Sequence, residues 1–213
     1  MTARKKKTFC GLMAALFSPP EAEGVEQIRR EAFLLEEYVR SWGGNAALLF
    51  GLKAGPDAEA FAHELQAEYH RLFSGEKGET VSLVESCHKP WTQDAECHLS
   101  FARAKGLLRG DSALHMEAVF RQSGVEVPDE FKACPDHLVL ELEFMSALYG
   151  EATDREVKAF IHDHLDWIPE LKSNLNRHRP HPFYLSAAEL LDGFLAHEKN
   201  RLETGDDGKK NLH

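Results

Sequence analysis

Twelve histidines and four cysteines in 213 residues make a metal site the first chemistry to consider. Cys87-His88 and Cys97-His98 would together offer zinc four soft ligands, yet the spacing fits no finger pattern and adjacent residues chelate one ion poorly. In His162-x-His164 the two rings leave a helix on different faces, and His164 falls on the apolar stripe, where it reads as a packed side chain. His137 and Glu141, four apart, share a helix face and read as a surface pair. No Gly-rich phosphate loop and no Gly-x-Ser-x-Gly elbow occur. Nothing assembles a nucleophile, a base and an oxyanion donor, so the expectation is no enzyme, no metal and no cofactor. A helical metalloprotein enzyme built on the His and carboxylate clusters is the alternative.

Charge points to a partner instead. Lys plus Arg number 25 and Asp plus Glu 35, a net charge of −10. Binding to phosphate backbones needs clustered cations, so a nucleic-acid partner is excluded. An anionic membrane surface is disfavoured for the same reason. Between Glu126 and Asp166 eleven acidic residues face only three basic ones, so most of the excess sits in this short stretch. Such a face suits a peptide that is basic at one end and apolar at the other. It also fits a merely solvated surface.

The elements that must position these residues are helices. Leu and Ala far outnumber Val and Ile, which favours helix over sheet. The basic run Arg4–Lys7 followed by apolar Phe9–Phe17 mimics a secretory leader, but no small-x-small cleavage site follows. It reads as a first helix stopped by Ser18-Pro19-Pro20. Val25, Ile28, Ala32, Leu35 and Val39 form the stripe of a second helix, and Ala58, Phe61, Ala62, Leu65, Tyr69, Leu72 and Phe73 that of a third, with Gly55-Pro56-Asp57 before it and Ser74-Gly75 after it. Residues 75–110 lack a clear period; they predict a long connection, a hinge candidate, with a short helix near Ala95–Lys105. Asp111 is expected to cap a helix to Gln122, and Asp136 one running to Tyr149. Capping boxes at Thr153–Glu156 and Ser186–Glu189 predict two more helix starts, with a polar connector over Asn174–Phe183. The expectation is one all-α, bundle-like domain over residues 1–203 with nine or ten helices and no strand, and a disordered tail over 204–213. No apolar run approaches a membrane span. The four cysteines read as reduced thiols of a cytoplasmic protein.

Pro135-Asp136-His137-Leu138-Val139-Leu140-Glu141-Leu142 closely resembles the signature of the TorD/DmsD/NarJ group of redox-enzyme maturation chaperones. Three further segments are similar in kind and order: Tyr69-His70-Arg71-Leu72-Phe73, His164-Leu165-Asp166-Trp167 and Pro182-Phe183-Tyr184. So is the first helix with its Phe17-Ser18-Pro19-Pro20 turn. Glu130 lies five residues before Pro135, whereas many members of the group it resembles place the Glu next to the Pro or one residue away. The resemblance implies an all-helical cytoplasmic chaperone, monomeric or a domain-swapped homodimer. Its partner would be the twin-arginine signal peptide, the catalytic subunit of a molybdopterin oxidoreductase, or both, held for cofactor insertion before export. Weak guanine-nucleotide binding, proposed for some relatives, finds no phosphate loop here.

The two readings join at one site. Carboxylates near Asp136 and Glu141, with Glu130, Pro135 and His137 in the same turn, would draw the two arginines of the leader. Tyr69, Leu72, Phe73 and Trp91 would bury its apolar run. Tyr69, Leu72 and Phe73 also continue a buried stripe, so core packing is equally consistent with their spacing.

Overall fold

The computed structural model describes residues 1–52, 57–74 and 80–210, the stretch 205–210 as backbone alone. The described residues form eight α-helices and no strand: α1 (Ala3–Phe17), α2 (Ala22–Ser41), α3 (Ala58–Tyr69), α4 (Asp111–Gln122), α5 (Leu138–Glu151), α6 (Asp154–His164), α7 (Ile168–Arg177) and α8 (Pro182–Lys210). Short 3-10 turns at Ala46–Leu52, Glu85–Cys87 and Asp129–Phe131 and a π turn at His70–Ser74 complete the set. This is slightly fewer helices than expected, because Ala95–Lys105 forms turns. The glycines at 55 and 75 that were to punctuate α3 lie outside the described residues.

The centre of the fold is α5. Leu138, Val139, Leu140, Leu142, Met145 and Tyr149 are all buried, which leaves only a narrow exposed strip of Glu143, Ala147, Gly150 and Glu151. A helix with so wide an apolar face must be covered on most sides. Its main neighbour is α1, and α6 and α8 pack on the same core. On α1, Phe9, Met13, Leu16 and Phe17 are essentially inaccessible, and Phe9 meets Phe194 of α8 at 4.4 Å between ring centroids. Lys6 of the basic run is buried too, its ammonium 2.7 Å from the buried Glu198 carboxylate of α8.

Several helix starts differ from expectation. Thr153 and Glu156 do make the capping box that opens α6. Ser186, by contrast, lies inside α8, which begins at Pro182; the φ fixed by proline suits a first helical position. Gly51 brings the first 3-10 turn against this start, so a Cβ there would meet the Pro182 carbonyl oxygen at 2.2 Å. The polar connector is mostly taken up by α7 and α8, and α8 runs on to Lys210 through most of the segment expected as a disordered tail. On α2 the exposed Ala32 drops out of the stripe, and Tyr38 takes a buried place in it.

The long connection is irregular but tied down over its described length. Its backbone bonds run from Val81 N–H to Leu72 O (2.7 Å), Gly106 N–H to Cys87 O (2.9 Å) and Asp111 N–H to Trp91 O (2.8 Å). Two more meet the start of α5: Glu85 N–H to Asp136 O (3.0 Å) and Leu138 N–H to Leu83 O (2.8 Å). Residues 80–110 are therefore a strap across the helices.

Candidate functional site

Where the strap crosses α5, α6 and the start of α7, it buries an unusual set of polar side chains. Glu85, Asp136 and Glu141 are fully inaccessible, and His164 is 2% exposed. Burying charge is costly unless each group finds a partner. Glu85 comes from the 3-10 turn of the strap. Its carboxylate accepts from His164 Nδ1 at 2.9 Å and pairs with the Lys89 ammonium at 2.6 Å. Lys89 reaches on to the Asp166 carboxylate at 2.5 Å and donates to the Asp163 carbonyl oxygen at 2.8 Å. The other ring nitrogen of His164 meets His115 Nδ1 of α4 at 2.8 Å. Trp167 donates its indole N–H to the His164 carbonyl oxygen (2.8 Å) and to Glu141 (3.3 Å). His88 stacks on the Trp167 ring at 4.7 Å and bonds the Ser82 carbonyl oxygen through Nε2.

The carboxyls of this cluster titrate apart. Burial pushes Glu141 well above the usual carboxylate range, and the nearby Glu85 and Asp136 charges push the same way. For Glu85 burial is outweighed by His164, Lys89 and a bond from Glu141, and its value is lowered. One member of the pair holds a proton while the other carries the charge. Asp136 is raised by burial, opposed by bonds from Ser86.

The turn before α5 departs from the expected cap. His137, not Asp136, occupies the N-cap, where its Nδ1 accepts from the Val139 N–H at 3.2 Å. Asp136 turns inward and accepts from the Ser86 N–H at 2.7 Å and from the Ser86 hydroxyl. His137 and Glu141 thus form no surface pair, and Glu141 faces the core cluster.

The His137 cap gives a pH prediction. Burial holds its imidazole down at about 4, against about 6.5 in an unfolded chain. The unfolded state therefore takes up the proton first. The contribution is whole above pH 6.5 and is lost as pH falls through 4, on the order of 3 kcal/mol in total. Urea unfolding at pH 7.5 and 4.5 should show a loss larger by about 2 kcal/mol in the wild type than in His137→Asn, which keeps a capping acceptor but no titration. Equal losses would disprove the role.

A model of the nitrate reductase delta subunit family matches residues 44–179, well over half of the chain and the whole of this cluster. The chain belongs to that family. In this delta-subunit family, the TorD/NarJ group, the relatives matched include the chaperone protein TorD of Salmonella paratyphi B and that of Salmonella newport. Each is 31% identical over 99 residues, 43% of either chain, so the matched part spans less than half the length of these relatives. A solved structure, the "putative redox enzyme maturation protein" of Archaeoglobus fulgidus, shares this fold at a TM-score of 0.58, with 19% identity over 89% of this chain and 93% of that one.

The residues expected at a peptide site are not all brought together. Asp136, Glu141 and Pro135 are buried, and Leu72 is wholly inaccessible. An arginine arriving from solvent would not reach these carboxylates in this conformation. Tyr69 and Phe73 pack with Tyr184 of α8, the Phe73 ring at 5.3 Å from it. That is interior packing of the end of α3 and the π turn on α8, not a groove wall, although Phe73 stays half-buried. Trp91 packs on Phe101 at 5.1 Å in the strap, and Glu130 is exposed in the turn before α5. No cysteine is in a disulfide, and no Cys-His pair forms a ligand set among the described residues. His162 is exposed while His164 is buried, as their positions in the stripe required.

Sequence reasoning missed Glu85, Ser86 and His115. Glu85 and Ser86 sit in a stretch with no period, and His115 lies on the exposed side of an ordinary amphipathic helix. The His164–Trp167 segment was the visible half of the cluster.

Proposed function

We propose that this protein is a maturation chaperone that binds the twin-arginine signal peptide of a molybdopterin oxidoreductase, its catalytic subunit, or both. Membership of the delta-subunit family carries this reading. The surface supports it. Apart from Asp136 and Glu141, the acids between Glu126 and Asp166 are exposed. Two of them border apolar hollows. Glu143 lies in a groove of about 440 Å³ between α1 and α2, lined by Ala14, Leu16, Pro19 and Val25. It also lies, with Glu126, on a cleft of about 190 Å³ lined by Phe120, Val127, Leu140 and Phe144. Ile28 joins the first groove to a hollow of about 380 Å³ beside the exposed Phe33. Neighbouring apolar hollows with carboxylates between them match an apolar helix that carries two arginines.

Calorimetric titration with a synthetic peptide of two arginines followed by an apolar helical run tests this. The double variant Glu126→Gln, Glu143→Gln should bind about tenfold or more weakly, as should a peptide with both arginines replaced by glutamine. Added salt should weaken the complex chiefly through association. No binding, or binding indifferent to all three changes, would end this reading.

A further inference from the structure

We propose that Glu85, Glu141 and His164 form a binding site for one divalent first-row metal ion such as zinc, which clamps the strap to α5 and α6. One ligand atom from each residue lies within 4.8 Å of the other two, and all three side chains are buried. They come from three elements far apart in sequence, so an ion here would tie the strap, the central helix and α6 in one bond set.

A cluster of acids alone would prove nothing, but some of its carboxyl oxygens, Glu141 Oε1 and Asp136 Oδ1 among them, lack donors in the protein. Oε1 of Glu141 is buried and no N–H or hydroxyl of the protein donates to it, while Oε2 takes the Trp167 N–H. Its neighbour across the cluster is a second carboxyl rather than a donor. This oxygen needs either a proton of its own or a cation, and a metal ion would take the proton's place. The surroundings also suit an ion. His164 Nε2 rests on His115 Nδ1 at 2.8 Å, the outer contact that fixes the orientation of a ligating imidazole. His115 is itself exposed, which gives a short way in from solvent. Two carboxylates and a neutral imidazole balance a divalent charge, and Lys89 stays neutralised by Asp166. An imidazole with two carboxylates suits borderline ions such as zinc better than the all-oxygen sites that magnesium or calcium take. The inference does not depend on peptide binding.

The test is zinc chloride added to chelator-stripped full-length protein. One equivalent should bind and raise the thermal midpoint by several degrees, reversibly with EDTA, with uptake accompanied by proton release. Cobalt(II) in its place should give ligand-field bands without a thiolate charge-transfer band. Glu141→Gln mimics the protonated acid, so its metal-free midpoint should match the wild type while the zinc-induced rise disappears. Should that variant fail to fold, His115→Ala replaces it; zinc affinity should then fall roughly ten- to hundredfold. No rise in the wild type overturns the proposal. So does an equal rise in Glu141→Gln, which would place the zinc on cysteines or exposed histidines, and so does unchanged affinity in His115→Ala.

Discussion

Glu198→Ala is expected to destabilise the protein by about 3–5 kcal/mol, the cost of breaking a buried ion pair from one side. Glu198 is fully inaccessible and accepts from the Lys6 ammonium at 2.7 Å and the Tyr149 hydroxyl at 3.1 Å. Arg201 approaches the same carboxylate at 3.1 Å and holds Asp154 through two bonds of 3.0 Å. Three helices therefore meet on one side chain, α1, α5 and α8, and Arg201 links it on to Asp154 of α6. Truncation leaves the Lys6 charge and the Tyr149 hydroxyl buried without their acceptor. Denaturant unfolding at neutral pH should show the loss, and a change below about 1 kcal/mol would refute the account. Replacing both members, Lys6→Met with Glu198→Leu, should recover much of it, because two apolar side chains need no partner. Burial opposes the Glu198 charge, but bonds from Lys6 and Arg201 outweigh it and hold the pKa below the ordinary value. This stabilisation is therefore present above about pH 4.5 and is lost as pH falls through the lowered folded value.

Asp136→Ala should cost about 2–4 kcal/mol, as two donors lose one acceptor. The Ser86 N–H and hydroxyl both end on Asp136 inside the protein, at the point where the strap is tied to the start of α5. The damage should be local first: limited proteolysis should cut residues 88–105 faster in the variant, while the helices stay protected. Asp136→Asn retains one acceptor oxygen and should lose less than half as much. Peptide affinity should be unchanged in Asp136→Asn at temperatures where it is folded, since the carboxyl is inaccessible. A specific loss of peptide binding with normal stability would restore Asp136 to the peptide site.

Composition and spacing alone dictate the helical class, because Leu and Ala at helical spacing leave too few β-branched residues for a sheet. The sequence marked the proline stop after α1, the Thr153 capping box and the turn before α5, all set by contacts within a few residues. It also marked the family, through short segments whose order survives divergence. What it could not determine was which polar residues point inward. Asp136, Glu141 and Lys6 carry the side chains of surface residues, and local pattern assigns them to solvent. Only the packing of the strap on α5 and α6, and of α1 on α8, supplies the partners that make burial tolerable. Those partners are 50 residues away for Asp136 and 192 for Lys6. Local spacing carries no record of them, so the buried cluster belongs to the tertiary structure alone.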